Sequence, residues 1–187
     1  MLNRHFYCTV IFMNPWDAQP EETILTREEQ EQFLSLIKKL GWKRTGKEVF
    51  EAFFSIFPFA LCEIAVLREI NGAPHVLLWY RDDEHYTGWH LPGGYILRGE
   101  ETEETIRRVL MNETGLQLQK AEFARYYNSY PANAPVPNHQ VALLFLCSAD
   151  GEPRQGTFFP VDALPPDILS HHKEYLEKIS GNPEGNA

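Results

Sequence analysis

The chain of 187 residues is long enough for one domain of ordinary size plus an extension. With 43% apolar residues it can bury a sizeable core, and its formal net charge of −9 leaves no basic stripe for a nucleic acid polymer. It shows neither a membrane-spanning apolar run nor a secretory leader, and its three cysteines are widely spaced, so a cytoplasmic protein with no membrane partner is expected.

The start of the chain predicts a strand and a helix ahead of the main domain. Residues 6–13 are rich in β-branched and aromatic side chains and end at an Asn-Pro turn, which indicates a strand. Thr26 is a suitable N-cap, and apolar residues recur after it at helical spacing up to Gly41. Residues 1–55 are therefore interpreted as an N-terminal strand–helix extension. Sequence leaves open whether it packs on the domain, shapes a pocket, or exchanges between subunits of a possible homodimer.

Strands and helices are both predicted in the rest of the chain. A helix over 49–57 precedes strands at 59–67, 75–80, 120–127, 140–147 and 157–161. A terminal helix covers 165–179, and its two histidines, His171 and His172, are expected to face solvent. This order predicts an α/β/α sandwich with a mixed sheet over residues 56–180, followed by a frayed tail at 181–187.

One stretch, residues 91–116, carries the chemistry. It opens with a Pro-Gly-Gly turn and continues through an acidic run into a segment of helical period that Gly115 ends. It resembles the box of the Nudix hydrolases, G-x5-E-x7-R-E-U-x-E-E-x-G-U with U apolar. The pattern is met at Gly94, Glu100, Arg108, Leu110, Glu113, Gly115 and Leu116.

Val109 and Asn112 depart from the pattern, because the family has Glu at both positions. Residues 109, 112 and 113 share one helical face by their i, i+3, i+4 spacing, so one carboxylate of three remains there, that of Glu113. The resemblance implies the Nudix fold and hydrolysis of a small phosphorylated substrate, a nucleoside diphosphate linked to another moiety, with Mg²⁺ or Mn²⁺ as cofactor. A single weaker cation site is expected instead of a cluster of several cations.

The run of residues 108–115 is similar to that of the GDP-mannose mannosyl hydrolases, which act on nucleotide-sugars. These enzymes bind one Mg²⁺ through a turn carbonyl, the remaining helix Glu and a late loop residue. The resemblance assigns these roles to Gly93, Glu113 and Glu152, and makes Glu113 and Glu152 the candidate catalytic residues. Glu152 is alternatively a solvated residue of an Asp-Gly-Glu turn.

The substrate side of the site is assigned in the same way. Arg81 matches an Arg that contacts the diphosphate, and Gly93 and Gly94 are expected to present main-chain groups to the substrate through backbone angles closed to other residues. That branch has a catalytic His where this chain has Pro153, so the general base is open among His85, His90 and His139.

Glu100 and Arg108 are expected to form a structural brace of the loop and the helix, as they do in the family. Two functions remain after these assignments. The first is a Nudix-type hydrolase with one divalent cation, and the second is a catalytically impaired Nudix fold that binds a nucleotide derivative without turnover.

Overall fold

The computed structural model describes residues 25–40, 46–83, 86–129 and 139–180, and for 179 and 180 the backbone only. The strand predicted over residues 6–13, the tail after 180 and His85 lie outside the described residues. The chain divides into two compact units, Met1–Arg44 and Thr45–Ala187.

The described part of the first unit is helix α1 (Arg27–Leu40), which begins directly after the predicted cap. The Thr26 hydroxyl accepts the N–H of Glu29 at 3.3 Å, and the Glu29 carboxylate accepts the N–H of Thr26 at 2.7 Å. This reciprocal pair satisfies N–H groups that the first turn leaves without a helical partner. Acidic residues in the first turn and lysines in the last also suit the helix dipole.

The described part of the second unit contains three helices and a seven-stranded sheet. Their bounds are α2 (Lys47–Ile56), β1 (Pro58–Ile70), β2 (Ala73–Asp82), β3 (Thr87–His90), β4 (Gly93–Tyr95), α3 (Thr102–Glu113), β5 (Gln117–Ser129), β6 (His139–Asp150), β7 (Thr157–Pro160) and α4 (Ser170–Ser180). The strand order is β3-β2-β1-β6-β5, while β4 pairs with β1 and β7 pairs with β2. The β1–β6 pair is parallel and the other pairs are antiparallel, so the sheet is mixed.

The central strand β1 is buried on both faces, because successive side chains point to opposite sides of a strand. Ile64 and Val66 belong to a core that includes Ile106 and Leu110 of α3. Ala65 belongs to a second core that includes Leu176 of α4. The predicted α/β/α sandwich with a mixed sheet is thereby confirmed.

Two local predictions differ from the structure. The terminal helix begins at Ser170 and not at 165, because residues before it bond to β3: Trp89 N–H donates to Asp167 O at 3.1 Å, and Leu169 N–H donates to Trp89 O at 2.9 Å. The turn after Pro92 continues as the short strand β4. No helix in the described ranges is both long and apolar enough to cross a membrane.

Candidate active site

The glycine turn is held against the middle of the sheet. Ile64 N–H donates to Pro92 O at 2.9 Å and Ile96 N–H donates to Ala60 O at 3.1 Å, in the β1–β4 ladder that sets Gly93 opposite Glu63. Alternate residues of an antiparallel ladder turn their own N–H and C=O away from the partner strand, and Gly93 is one of these. Both of its main-chain polar groups are therefore directed away from β1, and its N–H donates to Glu113 Oε2 at 3.2 Å.

The two glycines supply space, and the expectation of unusual backbone angles is wrong. Neither Gly93 nor Gly94 has a positive φ, because both are extended residues of β4. A Cβ on Gly93 would lie 2.7 Å from Glu63 Oε2, and one on Gly94 would lie 2.9 Å from Val109 Cγ2. A side chain at Gly93 would first meet the Glu63 carboxylate, and one at Gly94 would first meet the Val109 side chain.

Glu113, the last residue of α3, lies half-buried beside this turn. Burial raises the pKa of its carboxyl to about 7, since the charged form loses hydration, and the negative charge of Glu63 acts in the same direction. The Gly93 N–H, the Trp79 indole and the Arg81 guanidinium oppose this rise. Burial thus outweighs the groups that favour the charged form of Glu113, which lies at the position where the substrate diphosphate is expected.

The three positions on the predicted acidic face have different surroundings. Val109 is 3% exposed and belongs to the core under the sheet, whereas Asn112 is exposed to solvent. Glu113 is intermediate in exposure, and its carboxylate accepts the Gly93 N–H. Where the family has a Glu at position 109, this chain has a valine that packs in the core.

Glu100 and Arg108 form a two-bond ion pair across the loop that leads into α3. Arg108 donates from Nε and Nη2 to the two carboxylate oxygens of Glu100 at 2.6 and 2.8 Å, and its Nη2 also donates to Tyr95 O at 2.9 Å. The Thr105 hydroxyl donates to Glu100 at 2.8 Å. The Arg108 guanidinium and these donors lower the pKa of Glu100 to about 2. The contacts join strand β4, the loop and the helix.

The loop between β6 and β7 meets α3 through residues other than Glu152. The Glu152 side chain is 91% exposed and pairs with Arg68 at 3.5 Å. Two residues further on, Arg154 Nη2 donates to Met111 O at 2.5 Å, and the Gln155 amide donates to the main-chain oxygen of Glu113. The structure thus brings Glu113 and Gly93 together, and it records no contact between Glu152 and either of them among the residues that it describes.

Arg81 lies at the end of β2 and is electrostatically coupled to the turn. It forms an ion pair with Asp83, and its guanidinium lies 5.2 Å from the ring centre of Tyr86. Its positive charge lowers the pKa of Glu113 and of His90. Arg81 is therefore close enough to affect the charge of Glu113 while its guanidinium is paired with Asp83.

Of the two histidines that were interpreted as surface residues, His172 is buried and His171 is half-buried. His172 is 3% exposed, and its Nδ1 accepts the N–H of Leu91 at 3.1 Å, so the expectation that it faces solvent is wrong. His171 is half-buried, and burial lowers its pKa to about 4. The helix presents this side to the sheet because α4 packs on the face that carries Ala65.

Of the candidate bases, His90 is buried and burial lowers its pKa to about 4. Its ring lies against Trp79 with ring centres 4.2 Å apart. His139 begins β6, and its Nε2 contacts Asn128 Oδ1 at 2.6 Å. Neither ring is recorded in contact with the Glu113 carboxylate in the described part of the chain.

Sequence reasoning missed Glu63, a carboxylate on β1 whose Oε2 lies 3.3 Å from His172 Nε2. One signal for it was present. Glu63 interrupts an otherwise apolar run that predicts a buried strand, and a buried carboxylate requires a partner.

Comparison with known proteins gives consistent findings. The family described as "NUDIX domain" matches residues 63–179, more than half of the chain. The chain is 28% identical over 92 residues to the putative ADP-ribose pyrophosphatase YjhB of Bacillus subtilis, a match that spans 45% of this chain and 44% of that protein. It is 28% identical over 118 residues to the ADP-ribose pyrophosphatase of Methanocaldococcus jannaschii, covering 59% and 69% respectively.

A solved structure is similar as well. The MutT NUDIX hydrolase from Burkholderia pseudomallei superposes with a TM-score of 0.58 at 26% identity, covering 66% of this chain and 98% of that one. The match to the Bacillus protein spans less than half of that protein's length.

Proposed function

Because the chain belongs to the Nudix family, we propose that it hydrolyses a nucleoside diphosphate linked to another moiety. The relatives named ADP-ribose pyrophosphatases support this class, since ADP-ribose is a nucleoside diphosphate joined to a sugar. Within this class, we propose a nucleotide-sugar as the substrate, in agreement with the similarity of residues 108–115 to the mannosyl hydrolases. The observation that carries the proposal is the Glu113 carboxylate held at the N–H of Gly93, in the turn that the resemblance to the box predicts to be the diphosphate site.

The donors at this turn fit a divalent cation such as Mg²⁺ or Mn²⁺. The Glu113 carboxylate is half-buried and accepts one main-chain N–H, and the Gly93 carbonyl is directed away from β1. Both are oxygen donors of the kind that Mg²⁺ prefers, and Mg²⁺ keeps several of its waters when it binds. Such a cation neutralises diphosphate charge and activates water when it is bound.

The protein's own residues would bind and position the substrate. Arg81 offers a guanidinium to the diphosphate, an exchange of its Asp83 contact for a phosphate contact. The Glu100–Arg108 pair keeps the turn and the start of α3 in a fixed relation. Glu152 stays a predicted ligand, and it would have to leave Arg68 to reach the cation.

The experiment is a turnover assay on a panel of nucleoside diphosphate derivatives that includes ADP-ribose and nucleotide-sugars, with Mg²⁺ or Mn²⁺. The wild-type protein is expected to release product from at least one compound, and Glu113→Gln to abolish the release. Glu103→Gln is the matched control, because it makes the same change on the exposed side of the same helix. Equal activity of both variants would contradict the assigned role of Glu113.

A second candidate function is binding of a nucleotide derivative without turnover. It is favoured by Val109, which is packed in the core, and by Asn112, which is exposed and uncharged. Under this function no compound of the panel is hydrolysed, yet one of them raises the melting temperature without added metal. The cytoplasmic location and the homodimer stay predictions.

A further inference from the structure

Glu63 is a buried carboxylate that does not belong to the box. It lies at the middle of the central strand β1 and is 9% exposed. Its Oε2 is inaccessible to solvent and has no hydrogen-bond partner among the described residues. Burial of a charged carboxylate is unfavourable unless a cation or hydrogen-bond donors compensate for the lost hydration. His172 Nε2 lies 3.3 Å from this oxygen without forming a hydrogen bond, so the carboxylate can accept a further partner.

The position of Glu63 is defined by the glycine turn. Gly93 faces Glu63 in a pair that makes no hydrogen bonds to each other, where side chains on neighbouring strands approach closely. The carboxylate occupies the space beside Gly93 that a side chain would take, 2.7 Å from where a Cβ would be. The same glycine donates its N–H to Glu113 at 3.2 Å. Two carboxylates from different elements thus flank one residue.

Two arginines described near the turn have carboxylate partners of their own. Arg108 is paired with Glu100, and Arg81 is paired with Asp83. Two acidic side chains, one buried and one half-buried, thus lie beside the same turn, which is an arrangement that a divalent cation stabilises.

His172 holds Glu63 from the other side. Its Nδ1 accepts the Leu91 N–H at 3.1 Å, so the neutral ring carries its proton on Nε2, which lies 3.3 Å from Glu63 Oε2. Neither atom meets hydrogen-bond geometry, so the contact is electrostatic. A carboxylate has about four acceptor sites, and this contact fills none of them with a hydrogen bond.

We propose that Glu63 is a cation ligand, which together with Glu113 and the carbonyl of Gly93 replaces the oxygens that the box has lost at Val109 and Asn112. The inference rests on the proposed function, because it takes the glycine turn as the diphosphate site. Within the described ranges, no group of three or more His, Cys, Asp and Glu side chains is placed to hold a metal. Two carboxylates and a carbonyl are sufficient for an ion that retains waters.

The test measures Mn²⁺ binding without substrate, by electron paramagnetic resonance of the free ion. Glu63→Gln keeps the shape of the side chain and removes its charge, and it is expected to weaken Mn²⁺ binding at least ten-fold, as is Glu113→Gln. Glu103→Gln is the control and should bind as the wild type does. Glu63→Asp restores the charge on a shorter side chain and should recover part of the affinity.

Melting temperatures separate this role from a purely structural one. Without metal, Glu63→Gln should melt no lower than the wild type, because it removes a buried charge whose Oε2 has no hydrogen bond. With Mn²⁺, the melting temperature of the wild type should rise more than that of the variant. A residue that only anchors α4 through His172 would give the opposite result: Glu63→Gln and His172→Gln would both melt lower, with Mn²⁺ affinity unchanged.

Unchanged Mn²⁺ affinity in Glu63→Gln, or no Mn²⁺ binding by the wild type, would overturn the inference. Its failure is distinguishable from failure of the proposed function, since the latter appears as absence of turnover across the substrate panel whatever the affinity for Mn²⁺.

Discussion

The ion pair between Glu100 and Arg108 yields the sharpest stability prediction. Glu100→Gln removes the charge that accepts Arg108 at 2.6 and 2.8 Å and leaves the guanidinium with Tyr95 O. The side chains are 20% and 29% exposed, between a surface pair worth about 0–1 kcal/mol and a buried pair whose one-sided loss costs about 3–5 kcal/mol. We expect the free energy of unfolding to fall by about 2 kcal/mol, measured by urea denaturation at neutral pH.

The pH dependence of this difference has a definite sign. The pKa of Glu100 is about 2 in the folded protein against 4.5 without perturbation, so the native state favours the charged form. The stabilisation is fully present above about 4.5 and is lost as the pH falls from there towards 2. The gap between the wild type and Glu100→Gln should therefore shrink over that range.

Glu103→Gln is the control for this prediction. Glu103 pairs with Arg107 on the same helix, but the two side chains are 62% and 53% exposed, so its loss should cost no more than about 0.5 kcal/mol. Equal losses in the two variants, or a Glu100→Gln gap that stays constant with pH, would refute the reasoning.

Three further predictions concern packing around the turn. Val109→Glu should lower the free energy of unfolding by at least about 3 kcal/mol, because it places a charge in the core. Asn112→Glu lies on the exposed face and should lower it by less than about 0.5 kcal/mol. Similar losses for the two variants in urea denaturation would contradict this. Gly94→Ala should cost about 1–3 kcal/mol, since its Cβ would lie 2.9 Å from Val109 Cγ2, and Gly94→Ala with Val109→Ala should cost less than the sum of the two single changes. Burial raises the pKa of Cys62 to about 11 and that of Cys147 to about 12, so peptide mapping after thiol labelling at mildly alkaline pH should find both unmodified until urea unfolds the protein.

The parts of the fold predicted correctly are those with local signals. Helix α1 begins where Thr26 and Glu29 supply a capping pair, and β1 follows an apolar run that only Glu63 interrupts between residues 59 and 67. The start of α4 was predicted five residues too early, at 165 and not at Ser170, because the bonds between Trp89 and residues 167 and 169 depend on the placement of β3. Helical period alone carries no information about such long-range contacts.

The candidate site divides in the same way. Gly93 and Glu113 were placed by the box, whose residues are close in the chain, and the structure joins them by a hydrogen bond. Glu152 was placed by similarity to one branch of the family, and its contact is with Arg68. Glu63 and His172 come from the central strand and the terminal helix, and their meeting requires the layered fold itself.

The loss of two acids has different physical consequences at the two positions. At 109 the valine contributes to the core and its Cγ2 limits what can stand at Gly94, so an acid cannot return there without loss of packing. At 112 the side chain is exposed, and nothing in its packing opposes a charge.

A site that needs a second buried carboxylate near Gly93 must therefore take it from an element other than α3, and β1 reaches the turn from the opposite side. Strand β1 is paired on both edges, with β4 and β2 on one side and β6 on the other, so the backbone that carries Glu63 is held from both sides. Rigid placement of that kind is what a two-carboxylate cation site requires, since fewer ligands leave less tolerance for misplacement.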